Sequence, residues 1–238
     1  MARRFRQVVP RPERSRPGTT PPWSRLSPRE RERVDLPMVR RALAAAGLSG
    51  TGPYGTGAPS APSAATLVDA AVLAALFEQD GEAMLVLIRR AAALERDPGH
   101  VALPGGRVEP GEPALAAALR EAHEEIGLDP AAVEVLGHLP PMRRHSAAHQ
   151  IAPFIAALED RPHLAPSPEE VEAVFEVPLF ELLADGVAWE EHWGEDAAPE
   201  AHRVCFFAVP SLGDDLLWGL TGRVVWELLE LVATVPHR

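Results

Sequence analysis

Lysine is absent from the chain. All 23 basic residues among its 238 are arginine, set against 34 Asp and Glu for a formal charge of −11. With Ala and Pro so frequent, this points to a GC-rich coding sequence rather than to a function. Cysteine is nearly missing as well: Cys205 stands alone, closes no internal disulfide, and leaves the fold compatible with a reducing compartment. No run of about 18 apolar residues occurs to suggest a membrane span. The N-terminal "MARRFRQVVPRPERSRPG" is basic but lacks the apolar run of a secretory signal. The expectation is a cytoplasmic protein with no membrane partner. Hydrophobic residues make up 46% of the chain, enough for the core of one ordinary domain with appendages.

The charge is unevenly divided. Residues 1–41 hold 12 arginines against four acids (Glu13, Glu30, Glu32, Asp35), or +8, which leaves −19 on the remainder. So acidic a body argues against nucleic-acid binding. Residues 1–62 read as a basic, Pro/Gly-rich, largely disordered arm and linker, with one short helix over residues 36–48, and residues 63–236 as the folded domain. Gly50, Gly52 and Gly55 in the linker match the G-x-G-x-x-G spacing of a dinucleotide loop. No strand precedes them and Pro53 interrupts them, so no cofactor is expected there.

From Thr66 short apolar runs alternate with turns. "LVDAAVLAALF" and "MLVLIRR", joined by "EQDGEA", read as two adjacent strands; "VEVLGHLP", "HQIAPFIAALE" and "HRVCFFAVP" read as further strands. A helix is expected from Pro113 to about Gly127, a short helical piece at "PLFELLAD", and a last amphipathic helix through "GLTGRVVWELLELVATV" that places Trp218 and Trp226 in the core. Strands interleaved with helices without a regular repeat predict an α/β fold, a mixed sheet covered by helices.

The Pro113 helix carries the chemistry. At ~100° per residue, Leu115, Leu119, Ala122 and Ile126 form a narrow stripe expected to be buried. Glu121 and Glu125 lie one turn apart on the other side with Glu124 beside them, so three carboxylates are expected on one exposed face. Like charges at these spacings repel, and Glu124 and Glu125 sit near the helix C-terminus, where the macrodipole disfavours anions. A hard divalent cation, Mg²⁺ or Mn²⁺, resolves the conflict. Arg120 can hold one of these carboxylates but cannot neutralise all three. Elsewhere, His145 and His149 stand four apart in a segment that reads as loop then strand, which argues against a zinc site.

Written out, Gly106, five residues, Glu112, seven residues, then Arg120-Glu121-Ala122-His123-Glu124-Glu125-Ile126-Gly127-Leu128 resembles the Nudix box. The resemblance implies an α/β/α sandwich with a mixed central sheet and hydrolysis of a nucleoside diphosphate linked to another moiety. It implies metal ligation by Glu121, Glu125, Glu124 and the Gly106 carbonyl. Glu121 and Glu124 are placed in the catalytic group together with Arg120 and Glu112, the pair that orients helix and loop. Glu170, in "PSPEEVEAVF", is a candidate base or further ligand, and Arg89, Arg90, Gly105, Arg143 and Arg144 are candidate substrate-binding residues. The implied partner is a small nucleotide derivative, with a homodimer among the assemblies admitted.

The segment "LVLIRRAAALERDPGHVALPGGRVEPGE" is similar to the one that distinguishes coenzyme A pyrophosphatases within the group. It departs from that pattern at Glu95, Asp97 and His100, where a basic residue, a histidine and a glutamine are usual, and at Leu103, where an aromatic is usual. Swapping a cation for Glu95 disfavours a nucleotide 3′-phosphate. The expected reaction is cleavage of coenzyme A or an acyl derivative to 3′,5′-ADP and (acyl-)phosphopantetheine. The alternatives are a housecleaning hydrolase of ADP-ribose, NADH or oxidised dNTPs, and a non-catalytic binding module.

Overall fold

The computed structural model describes residues 4–52, 68–143, 150–194 and 203–236. In chain order the elements are β1 (Ser15–Pro17), α1 (Pro28–Arg31), α2 (Leu36–Ala45), β2 (Val68–Gln79), β3 (Glu82–Arg90), β4 (Val101–Ala102), β5 (Gly105–Arg107), α3 (Ala114–Ile126), β6 (Val133–His138), β7 (Met142–Arg143), β8 (Gln150–Leu158), β9 (Val171–Pro178), α4 (Leu179–Leu182), β10 (Ala188–Trp193), β11 (Arg203–Phe207), β12 (Leu217–Trp218) and α5 (Gly219–Val232).

β2 is the organising strand because its continuous apolar run suits burial on both faces. It pairs antiparallel with β3 through a two-residue turn, Asp80–Gly81, in which both residues have positive φ, as a hairpin that follows the strand twist requires. On its other edge β2 runs parallel to β8, in register from Ala71 against Ala152 to Leu76 against Ala157. The main sheet has the path β4-β3-β2-β8-β6, with β9 added to β3, β5 to β2 and β7 to β8. Parallel and antiparallel pairs coexist, so the sheet is mixed and the class is α/β, as the sequence predicts.

Alternate residues of β2 enter two cores. Ala71, Leu73, Ala75 and Phe77 meet Ala117, Ala118, Ala122 and Ile126 of α3. Ala74 and Leu76 face the opposite layer, with Leu43 of α2 and Val225, Trp226 and Leu229 of α5. The result is a helix–sheet–helix sandwich. A second, antiparallel sheet, β1-β10-β11-β12, flanks it. β9 and β10 are absent from the sequence expectation. Trp226 is core as expected, whereas Trp218 is only half-buried and ends β12, just ahead of α5. Among the described residues no helix is long and apolar enough to cross a membrane.

The expected disordered arm is corrected over residues 4–52, which pack on the body. Trp23, 1% exposed, joins Val34, Met38, Val39 and Leu43 in the main core, and β1 extends β10 at its edge. Arginines of the arm meet carboxylates of the body: Arg11 with Glu191, Arg31 with Asp185, and Arg40 with Glu134 through two 2.6 Å hydrogen bonds. The +8 and −19 halves of the sequence are therefore complementary surfaces. Within α2 the buried residues form a helical stripe, Met38, Val39, Ala42 and Leu43, as the expected helix over 36–48 requires, whereas ahead of it Trp23 and Val34 are isolated apolar residues without periodicity.

Candidate active site

α3 begins after Pro113 and ends at Gly127, whose φ of 68° is left-handed and whose N–H meets the carbonyls of Ala122 and His123. The next two orphan carbonyls of the helix end are capped from a distant loop: Ala165 N–H donates to Ile126 O (2.8 Å) and Ser167 N–H to Glu125 O (2.9 Å). That capping carries Glu170 to the site, where its charge is felt by both Glu121 and Glu125.

The expectation of three carboxylates on one exposed face is corrected. Glu124 is exposed, Glu121 is half-buried, and Glu125 is 1% exposed. Leu119, expected to be buried, is only partly so. Small residues explain the rotation: Ala114, Ala117, Ala118 and Ala122 let the helix settle close to the sheet and carry Glu125 inward. There its Oε2 accepts the Gly105 N–H at 2.9 Å and its Oε1 lies 3.4 Å from Arg90 Nη1. Burial is the larger effect and pushes the Glu125 carboxyl up to about 7, against the opposing Gly105 and Arg90 contacts; Glu121 and Glu170 add to the rise. Burial also raises Glu121, partly offset by Arg120.

Arg120 ties the remaining acids together. Its guanidinium donates through Nε and Nη2 to both oxygens of Glu112 (3.0 and 3.1 Å), through Nη1 to Glu121 and Glu124 (3.0 Å each), and through Nη2 to the Arg107 carbonyl (3.0 Å). Glu112 also accepts the Glu109 N–H at 3.0 Å, and the Arg120 bond holds its carboxyl below the usual carboxylate range. Arg120 is correspondingly locked in its charged form. Helix α3 and the loop that precedes it are thus pinned by one planar fork, which a lysine's single ammonium could not reproduce.

Two adjacent glycines make the close approach. A Cβ on Gly106 would sit 2.4 Å from the Glu121 carboxyl carbon, and one on Gly105, where φ is +144°, would sit 2.3 Å from the Ala71 carbonyl oxygen. Glu121, Glu125, Glu170, Arg120, Glu112, Gly105, Gly106 and Arg90 are therefore brought together. Among the described residues no three His, Cys, Asp or Glu side chains already stand in metal-holding geometry. Arg120 and Arg90 occupy the carboxylates instead.

Other expected site residues lie elsewhere or are engaged. Arg89 is directed away from Glu125, with its guanidinium held by Asp215 (2.5 Å) and Glu172 (3.2 Å) over the Phe175 ring. Arg143 is exposed at the end of β7, and Arg144, His145 and His149 lie outside the described residues. Glu95 is exposed, His100 packs against Trp218 with ring centroids 5.1 Å apart, and Leu103 is buried in the main core. Sequence reasoning missed the backbone partners: the Arg107 carbonyl, the Glu109 N–H and the capping segment at Ala165 and Ser167. Main-chain groups leave no residue-type signature by which to find them.

Comparison with known proteins gives the chain's family. Residues 67–197 match the profile of the NUDIX domain. Nudix hydrolase 22, chloroplastic, of Arabidopsis thaliana is 38% identical over 70% of this chain and 56% of its own length. Uncharacterized Nudix hydrolase NudL of Enterobacter sp. is 44% identical over 48% and 59%. A NudL protein of Photorhabdus laumondii is 35% identical over 62% of this chain and 76% of its own. The chain thus spans less than two thirds of the first two relatives. A crystal structure of a Nudix hydrolase from M. smegmatis, RenU, aligns at TM-score 0.48 and 22% identity over 71% of this chain and 88% of that one. With the NUDIX profile covering more than half of its residues, the chain belongs to the Nudix family.

Proposed function

We propose that the protein is a divalent-metal-dependent pyrophosphohydrolase of a nucleoside diphosphate derivative. The observation that carries this reading is the Arg120-clamped set Glu112, Glu121 and Glu124 beside the buried Glu125, packed on Gly105–Gly106. The donor set fits Mg²⁺ or Mn²⁺: it is all oxygen, and beyond the effect of burial the charges of Glu124 and Glu170 raise the proton affinity of Glu121 while those of Glu121 and Glu170 raise that of Glu125, a repulsion that a bound cation would relieve. Glu121, Glu125 and Glu124, with the Gly106 carbonyl, would hold the ion. When bound, it would supply positive charge to the diphosphate and acidity to water.

The chain's own groups divide the remaining work. The Gly105 N–H orients Glu125, and Arg120 and Glu112 fix the loop against α3. Glu170, whose charge acts on both Glu121 and Glu125, would accept a proton from the attacking water. Water adds to one phosphorus, the P–O–P bridge breaks, and the bridging oxygen leaves with the other phosphate. Coenzyme A or an acyl derivative, giving 3′,5′-ADP and (acyl-)phosphopantetheine, is the first substrate choice. Burial of Leu103 in the core removes one departure from that pattern as a substrate contact, while the exposed Glu95 keeps ADP-ribose, NADH and oxidised dNTPs as the competing class.

The test is a panel of coenzyme A, acyl-coenzyme A, ADP-ribose, NADH, dinucleoside polyphosphates and oxidised dNTPs with each metal. Turnover of a member is expected to fall at least ~100-fold in Glu125→Gln with the fold retained. Binding without turnover throughout would leave a non-catalytic module instead.

A further inference from the structure

Gln7 is buried in the arm and spends its whole amide on three polar partners. Its Nε2 donates to the Gly99 carbonyl (2.9 Å) and to Asp215 Oδ1 (2.6 Å), and its Oε1 accepts the Leu216 N–H (2.7 Å). The amide has only this orientation, since a flip would set oxygen against oxygen and N–H against N–H. Two loops meet at this side chain. The 91–100 loop returns onto β3 through Gly99 N–H to Arg90 O (3.1 Å) and Arg90 N–H to His100 O (3.0 Å), and Arg90 in turn reaches Glu125. The 213–216 segment supplies Asp215, which holds Arg89, and leads to Trp218, on which His100 packs.

We infer that Gln7 is a positioning residue: its amide locks the 91–100 loop and the 213–216 segment together, and so sets where Arg90 stands beside the carboxylate site and where His100 packs on Trp218. Its effect on substrate rests on the pyrophosphohydrolase reading; its effect on the loop does not. Nothing in the composition of the basic arm singles this residue out. Its role follows from the burial of one uncharged amide between two loops separated by more than a hundred residues in sequence.

The test compares full-length Gln7→Met, close in shape but without the amide, with Arg6→Ala. Arg6 is its exposed neighbour, whose side chain makes two long ion pairs with Glu172 (4.0 Å) and Asp215 (3.9 Å), and whose main-chain N–H, retained in Arg6→Ala, donates to the Asp214 carbonyl (2.8 Å). Hydrogen–deuterium exchange is read on a peptide spanning 91–101 and on the β2 peptide 72–77 as a reference for global opening. Gln7→Met is expected to exchange the 91–101 amides roughly tenfold faster, with β2 unchanged and Arg6→Ala like the parent. On whichever substrate the panel identifies, KM should rise roughly tenfold with kcat within about threefold. Unchanged exchange at 91–101, or equal acceleration in Arg6→Ala, overturns the inference. Faster exchange with unaltered KM overturns its link to the site. If the parent turns over no substrate, the hydrolase reading fails while the exchange result still decides what Gln7 holds.

Discussion

Glu125 is the residue at which stability and chemistry oppose each other. Its carboxyl is pushed from an ordinary 4.5 up to about 7 by burial. Between those values the folded metal-free protein keeps a proton that the unfolded chain has released. The stabilising contribution is therefore complete below about pH 4.5 and is lost as pH rises through 7, at most ~3 kcal/mol. Glu125→Gln has no such loss. Chelator-treated Glu125→Gln is expected to melt above the parent at pH 8 and close to it at pH 4.5, and curves that stay parallel across this range would contradict the shift. The neighbouring glycines separate fold from function. Gly105→Ala meets the β2 backbone in a left-handed conformation and should cost over ~2 kcal/mol in denaturant unfolding. Gly106→Ala meets only the movable end of Glu121, so stability should stay within ~1 kcal/mol while turnover falls at least ~10-fold through displacement of that carboxylate.

At the scale of elements, the arm is part of the core rather than an appendage. Trp23 stacks on Phe207 at 6.2 Å and leans on Trp226 at 4.8 Å. Trp23→Ala should cost ~3–5 kcal/mol by chemical denaturation, whereas a loosely tethered arm would show under ~0.5. What was legible here depended on periodicity and on end signals. α3 was readable because Pro113 and Gly127 bracket a helical pattern, and the β2–β3 hairpin because Asp80–Gly81 is a strong turn signal. β9 does alternate, with Val171, Ala173, Phe175 and Val177 between Glu172, Val174 and Glu176, but the apolar Val174 blurs the pattern and no turn separates it from the helical "PLFELL", so no strand is expected there. β10, "AWEEHW", places Glu190 on the buried side through partners supplied by Thr19 and Arg203, and neither is adjacent in sequence. The box residues were readable as a set, whereas the inward turn of Glu125 was not, because it depends on how closely four alanines let α3 approach the sheet.

For the molecule as a whole, the arm's arginines neutralise carboxylates along β10, β6 and the α4 end, while Arg120 and Arg90 are the cations hydrogen-bonded to the α3 carboxylates. A divalent cation binding there would add its binding free energy to folding, about 2.7 kcal/mol at a hundredfold excess over Kd. Protons compete for Glu125, so the gain should be larger at pH 8 than at pH 5. General screening by salt acts on all surface charges and lacks this pH dependence. Adding Mg²⁺ or Mn²⁺ is therefore expected to raise Tm beyond NaCl of equal ionic strength, more at pH 8 than at pH 5, and to do so much less in Glu125→Gln. Equal shifts from divalent chloride and NaCl at both pH values would mean that Arg120 and Arg90 already satisfy the cluster and that the carboxylates serve the fold alone.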